Sequence, residues 1–371
     1  MDLYTLKTPC LLVDITRVKR NAERIGKRVR DFGASLRPHV KTHKCVEIAR
    51  IQTAGHSGAI TVSTLAEAQA FRAHGFTDIT YAVPIEPGKF ATAIELAKTC
   101  ERFALIVDDV TIPIQLNEAA RQAGVILDVF LKVDCGYHRC GVEPETKEAY
   151  EIPHRILDSA NLRFAGILTH AGHSYGASSK AALLSIAQHE RDSMVELAAQ
   201  LRKAGIPVPN VSIGSTPTIT HVDHLTGIDE ARPGNYIFFD AFQAELGSCR
   251  LQDCALTVLA AVVHSSKDRI VLDAGAIALS KDRGTVNTDH SNHYGLVLDL
   301  AGNDLGLRIN AVSQEHGEIF LSSRARTSHL KVGTRVRVLA NHSCLTASQH
   351  SHYYVLEDNR IIDCWEIQRG W

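Results

Sequence analysis

The chain has 371 residues, with 40 Lys and Arg against 41 Asp and Glu, a formal net charge of −1, 45% hydrophobic and 22% charged residues. That balance leaves no global basic field for a polyanion, so nucleic acid and anionic membranes are excluded as partners. The nine cysteines are odd in number and lack the paired spacing of a disulfide framework, which reads as reduced thiols and a cytoplasmic protein.

In chain order, short apolar β-branched runs alternate with amphipathic segments of helical period from Leu11 to about Asp240. The predicted strands are Leu11–Asp14, Ser35–Lys41, Ala59–Ser63, Ile79–Val83, Ala104–Val107, Val129–Val133, Phe164–Thr169, Val211–Ile213 and Tyr236–Phe239. Between them, residues 18–33, 64–75, 89–100 and 183–205 read as helices, several ending on Gly. The rhythm predicts parallel strands joined by crossovers, in an open sheet or a closed barrel. Lys41, Ser63, Asp134, His170 and Ser215 favour the barrel, because each falls at the carboxyl end of a different strand, where a barrel gathers its chemistry.

After about Gln243 the texture changes. Residues 256–265, 269–279, 293–300, 309–322, 334–341 and 352–367 read as strands, punctuated by Asp-Arg-Gly, Asp-Asn and Lys-Val-Gly turns, with no convincing helix. The expected organisation is an α/β barrel over residues 11–242 and an all-β domain over 1–10 and 243–371. No membrane span and no secretory signal is expected.

Five clusters carry possible chemistry. Arg37-Pro38-His39-Val40-Lys41-Thr42-His43-Lys44 reads as a solvated basic loop or as the setting of a nucleophilic lysine, since a desolvated Lys41 would attack carbonyls as a Schiff-base lysine does. Gly214-Ser215-Thr216 and Gly234-Asn235-Tyr236 offer N–H groups and hydroxyls, as turns or as a phosphate cradle, and their pairing with Lys41 favours phosphate. Asp134–Gly141, with Cys135 and Cys140 about a His, reads as a turn that projects Arg139 in preference to a metal site. His170 and Tyr175 are either aromatic-ligand contacts or satisfied buried side chains. His342-Ser343-Cys344, in a strand-like setting, would project imidazole and thiol to one face, as a two-ligand metal grip or as a half-buried Cys beside a bonded His. His350 and His352 repeat the spacing.

With TPCLLVD, GSTPT and RPGNYIFFD, the RPHVKTHK and NHSC segments resemble the D-threonine aldolase and D-serine dehydratase family, pyridoxal-phosphate enzymes of the alanine racemase fold type. The resemblance spans essentially the whole chain and implies an (β/α)₈ TIM barrel followed by a β domain, in a homodimer. By position, it implies Lys41 as the catalytic, cofactor-bearing lysine and Arg139 near the cofactor's phenolic oxygen. Gly214, Ser215, Thr216, Gly234 and Asn235 would hold the phosphate, with His170, Tyr175 and Tyr236 about the ring. His342 and Cys344 would bind the divalent metal, Zn²⁺ or else Mn²⁺, Mg²⁺ or Co²⁺. Members of the family act on D-3-hydroxy amino acids; His-x-Cys points to a D-serine or D-threo-3-hydroxyaspartate dehydratase releasing a 2-oxo acid and ammonia. The alternatives are a D-threonine aldolase, an amino-acid racemase, and a non-catalytic pyridoxal-phosphate protein.

Overall fold

The computed structural model describes residues 2–283, 292–321 and 330–371. It divides into two compact units, one of Arg24–Lys41, Ala49–Gly234 and Gln368–Trp371, the other of Met1–Glu23, Thr42–Ile48 and Asn235–Ile367.

In chain order the strands of the first half are β1 (Cys10–Asp14), β2 (Ser35–Leu36), β3 (Ile60–Val62), β4 (Asp78–Pro84), β5 (Arg102–Val107), β6 (Leu127–Lys132), β7 (Leu162–Leu168), β8 (Val211–Ile213) and β9 (Glu230–Ala231). All but β1 form one parallel sheet in the order β2-β9-β8-β7-β6-β5-β4-β3. A parallel bridge between His39 and Thr61 joins its two ends, with Thr61 N donating to Pro38 O at 2.9 Å and His39 N to Pro233 O at 3.0 Å. The sheet therefore closes into an α/β barrel, as the strand-helix rhythm predicts. Its strands are near-continuous apolar runs because both faces are covered; all six residues of β6 are buried. A register shift in β7 sits at Gly166, where φ is +125° and a Cβ would lie 2.0 Å from Asn210 O, so only glycine fits. The predicted helices are present as Ile15–Asp31, Leu65–Ala73, Phe90–Thr99 and Lys180–Lys203.

Among the described residues, the second unit is built on a ten-stranded mixed sheet. Its remaining strands are β10 (Leu256–Ser265), β11 (Arg269–Leu272), β12 (Gly295–Leu298), β13 (Asp304–Arg308), β14 (Ala311–Val312), β15 (Gly317–Phe320), β16 (Arg335–Ala340), β17 (His352–Glu357) and β18 (Arg360–Glu366). The main order is β13-β12-β16-β10-β1-β17-β18, with β11, β15 and β14 continuing from β10. Leu3, Leu6, Cys10, Leu12, Leu259 and Leu356 form a core cluster on this sheet.

Four expectations are corrected. The Leu11–Asp14 run, grouped with the barrel by its rhythm, pairs instead antiparallel with β10 and parallel with β17; a four-residue apolar run carries no mark of which sheet buries it. Ser35–Lys41 is strand only to Leu36, and Val40–Thr42 is a 3₁₀ turn that carries Lys41; Pro38 in between has no N–H to continue the ladder. Tyr236–Phe239 is not a strand, since Asn235–Ile237 forms a 3₁₀ turn and the closing strand is β9. The last third does hold helices, the short segments Ala276–Leu279 and Ser343–Ser348. The predicted Asp282-Arg283-Gly284 turn falls partly outside the described residues.

Candidate active site

Within the barrel unit, the carboxyl ends of the strands gather the polar residues that the sequence singled out. Lys41 is half-buried on the turn after β2. Two histidines lie within its electrostatic reach. His39 contacts Ser63 Oγ through Nε2 at 3.4 Å, and His170 Nδ1 lies 3.2 Å from Gly214 O. Burial first, and then the positive charge of Lys41, hold both imidazoles well below the ordinary histidine range, so both stay neutral.

Gly214, Ser215 and Thr216 are buried at the end of β8. Ser215 caps the short helix Thr216–His221 in a reciprocal box, with Ser215 N donating to Thr218 Oγ1 at 3.0 Å and Thr218 N to Ser215 Oγ at 3.3 Å. Glu190, fully buried on the helix Lys180–Lys203, accepts from Ala171 N at 2.9 Å and Gly214 N at 3.2 Å. Burial pushes its carboxyl above the usual range. Glu190 thereby ties the strand-end loops of His170 and Ser215 together. Arg232, also buried, donates to Ser212 Oγ and Thr169 O, and burial brings its pKa down to about 10. Ser212 Oγ donates to Glu230 Oε1 at 2.6 Å, and Arg37 Nε donates to Glu230 Oε2 at 2.5 Å, so a chain of charges runs through the barrel interior.

Asp134 accepts the N–H groups of Gly136, Tyr137 and His138 at 2.9, 2.9 and 3.1 Å. Burial would raise this carboxyl, but the donors outweigh it and hold it low. The resulting turn exposes Arg139, whose guanidinium lies 4.9 Å from the Tyr137 ring centroid. Tyr137 in turn meets His170 edge-on at 6.1 Å and covers Gly172, where a Cβ would lie 2.3 Å from its ring. The turn reading of this segment therefore holds. Cys135 is a buried thiol accepting from Thr169 Oγ1 at 3.2 Å, with its pKa pushed up to about 12. Tyr175 is half-buried on the 3₁₀ turn Gly172–Gly176, and Gly234 is buried where the unit ends.

The other unit holds Asn235, Tyr236, His342 and Cys344. Here the local geometry differs from the strand-like expectation: His342 is the extended N-cap residue of the helix Ser343–Ser348 and Cys344 lies in its first turn. The two side chains nevertheless meet in a hydrogen bond. His342 Nδ1 is 2.7 Å from Asp282 Oδ2, which leaves Nε2 for a ligand. Burial opposes the charged form of His342, but Asp282, Cys344 and Asp240 raise its pKa well above the ordinary range. For Cys344, burial would raise the thiol, yet the bond and charge of His342 bring it down, helped by Thr42. Cys344 Sγ lies 3.4 Å from Thr42 Oγ1 and 3.6 Å from Asn235 Nδ2. An imidazole whose far nitrogen faces a carboxylate, beside an acidified thiol, is a donor set that fits a soft divalent cation. Among the described residues no three His, Cys, Asp or Glu side chains form a metal-holding group, so the pair would leave positions on the cation for other ligands. His350 Nε2 faces Ala278 O at 3.1 Å, and His352 contacts Ser351 at 2.8 Å.

Sequence reasoning missed His39, Tyr137, Glu190, Arg232, Asp240 and Asp282. His39, Tyr137, Arg232 and Asp240 stood inside the segments singled out for their chemistry, and for His39 and Arg232 a basic residue next to a candidate site was a usable signal. Glu190 and Asp282 have no local signature.

This barrel, with a half-buried lysine at its strand ends, has the alanine racemase-like fold. Residues 13–241 match the alanine racemase N-terminal domain and residues 255–356 the putative serine dehydratase domain. The chain belongs to that family of lyases. It is 38% identical to the D-threo-3-hydroxyaspartate dehydratase of Delftia sp. (strain HT23), covering 100% of this chain and 99% of the relative. The solved structure of that enzyme superposes with a TM-score of 0.95 over 100% of both chains, and a cysteine-to-alanine variant of a D-threo-3-hydroxyaspartate dehydratase in its metal-free form gives the same score. The D-serine dehydratase of Dictyostelium discoideum is 35% identical over 100% of this chain and 98% of its own. The structure of D-threonine aldolase from Filomicrobium marinum is 26% identical, with a TM-score of 0.86 over 99% and 96% of the two chains.

Proposed function

We propose that this protein is a pyridoxal-phosphate- and divalent-metal-dependent dehydratase of D-3-hydroxy amino acids, D-serine or D-threo-3-hydroxyaspartate, releasing a 2-oxo acid and ammonia. The observation that carries this reading is the placement of His342 and Cys344 together at one helix N-terminus, with Asp282 Oδ2 2.7 Å from His342 Nδ1. A sulfur-nitrogen donor set suits Zn²⁺, whereas Mn²⁺ and Mg²⁺ prefer oxygen and Co²⁺ is intermediate. The dehydratases at 38% and 35% identity support the same reading more strongly than the aldolase at 26%.

When bound, the cofactor supplies an electron sink for charge developing at the substrate's Cα, and the metal supplies a Lewis acid for its β-hydroxyl. Lys41 would hold the cofactor through its amine and move the Cα proton. The neutral His39 and His170 line the surroundings of that amine without adding charge to them. Gly214, Ser215, Thr216, Gly234 and Asn235 would hold the phosphate, with His170, Tyr175 and Tyr236 about the ring and Arg139 at the phenolic oxygen. His342 and Cys344 would hold the metal. The nine free cysteines support a cytoplasmic location, and the family resemblance supports a homodimer, which sedimentation would check.

The test is product analysis on D-serine, D-threo-3-hydroxyaspartate and D-threonine, with and without a chelator and added Zn²⁺. The expected result is chelator-sensitive release of 2-oxo acid and ammonia. Glycine and an aldehyde as the only products would replace this reading with a D-threonine aldolase.

A further inference from the structure

Two carboxylates grip the His342-Ser343-Cys344 turn. The first is Asp282, whose Oδ2 lies 2.7 Å from His342 Nδ1. A neutral imidazole carries one N–H, and an acceptor at Nδ1 places that hydrogen there, so the lone pair is on Nε2. The bond also fixes the rotation of the ring, which leaves Nε2 aimed in one direction.

The second is the fully buried Asp240. Its Oδ2 accepts from Ser343 N at 2.9 Å, Ser343 Oγ at 3.1 Å and Asn235 Nδ2 at 2.7 Å, while Oδ1 accepts from Gln243 N at 2.9 Å. Ser343 is the residue between His342 and Cys344, so anchoring its N–H and hydroxyl fixes the backbone from which both side chains depart. Asn235 Nδ2 is shared: it lies 2.9 Å from Ser343 Oγ and 3.6 Å from Cys344 Sγ. Asp240 therefore holds in place the amide that points at the sulfur. A thiolate there would accept from that amide and from the Thr42 hydroxyl.

We infer that Asp282 and Asp240 are positioning residues of a metal centre: Asp282 orients the His342 imidazole, and Asp240 anchors the turn and the Asn235 amide that set the Cys344 sulfur. The inference rests on the reading of His342 and Cys344 as the metal ligands. Outer partners of this type are worth about 10–100-fold in metal affinity in other proteins.

The experiment uses the pyridoxal-phosphate holoprotein, stripped of metal by a chelator and titrated with Zn²⁺ against a chromophoric competitor. Co²⁺ serves as a second probe, because a cobalt-thiolate bond gives a near-ultraviolet charge-transfer band. Asp282→Asn should weaken Zn²⁺ binding roughly 10–100-fold and keep the cobalt-thiolate band, since Cys344 is intact. Asp282→Glu should recover part of the affinity. Asp240→Asn should weaken Zn²⁺ binding and also shift or bleach the band. Because Asp240 also caps the helix Ala241–Glu245, Ser343→Ala is the gentler companion; it removes one grip of Asp240 and should cost roughly two- to tenfold in affinity. Wild-type affinity in Asp282→Asn and in Ser343→Ala, with binding abolished in His342→Ala and Cys344→Ala, would overturn the inference alone. A wild-type protein that bound neither ion, or that kept its affinity in His342→Ala and Cys344→Ala, would overturn the metal-ligand reading and the inference with it.

Discussion

The histidines of the two units meet opposite fates under the same first influence. His39 and His170 in the barrel unit and His342 in the sheet unit are all pushed by burial toward the neutral form. Around the first two the next charge is Lys41, and they stay neutral. Around His342 the neighbours are Asp282, Cys344 and Asp240, and the imidazole goes well above its ordinary range. Burial is the larger cause of neutrality at His39 and His170, and it is overturned at His342 only because that ring's neighbours are acceptors and negative charge. One region keeps a lysine amine among neutral rings, the other gathers acceptors around a ring and a thiol.

The severest break of this contrast is Lys41→Ala. It should abolish the long-wavelength cofactor band of the holoprotein and reduce turnover by roughly 10³-fold or more, read by absorbance and product release. Next in size, Cys344→Asp should hand the sheet-unit pair a hard oxygen donor in place of a soft one. Zn²⁺ affinity should fall by about tenfold or more while Mn²⁺ gains relative to it, as competitive titration would show.

Glu190 sharpens the barrel side. Glu190→Ala strands the N–H groups of Ala171 and Gly214, at about 1–3 kcal/mol each in chemical denaturation. Because its folded-state pKa is raised, the stability from its protonated form is complete below the ordinary Glu pKa and is lost as pH rises through the higher folded value. Glu190→Gln, which still offers an oxygen to both N–H groups, should flatten that part of the pH-stability profile.

A smaller effect is expected in the rings themselves. Nitrogen NMR should find His39 and His170 neutral across the pH range near 6.5 where free histidine titrates, and Lys41→Ala should raise both pKa values only in part, since burial is the larger cause. The smallest is Tyr137→Leu, which removes the ring under Arg139 and should cost about 0.5–1 kcal/mol in stability.

The barrel was legible because its strands are short apolar runs whose polar residues fall at one end, and that placement holds for Lys41, His170 and Ser215 in three dimensions. The partner of Leu11–Asp14 was not legible, since a run buried on both faces reads the same in either sheet. His342 and Cys344 were found by the right residue types for the wrong local reason, as a helix N-terminus and not a strand brings them together. The roles of Asp240, Asp282 and Glu190 were not legible because what marks them is a distant partner: His342 is 60 positions from Asp282, and Ser343 is 103 from Asp240.

The place of β1 bears on how the molecule is made. Among the described residues, this strand lies between β10 and β17 and is the only link between the β13-β12-β16-β10 and β17-β18 parts of the main sheet order. Cys10–Asp14 leaves the ribosome well before either neighbour, so the strand stays apolar and unpaired until β10 has emerged and half-paired until β17 follows. A fragment starting at residue 255 would lack the strand that joins those two parts, with β10 and β17 each missing a neighbour. Cutting this gene between its two family matches would therefore not yield a sheet domain that can be purified by itself.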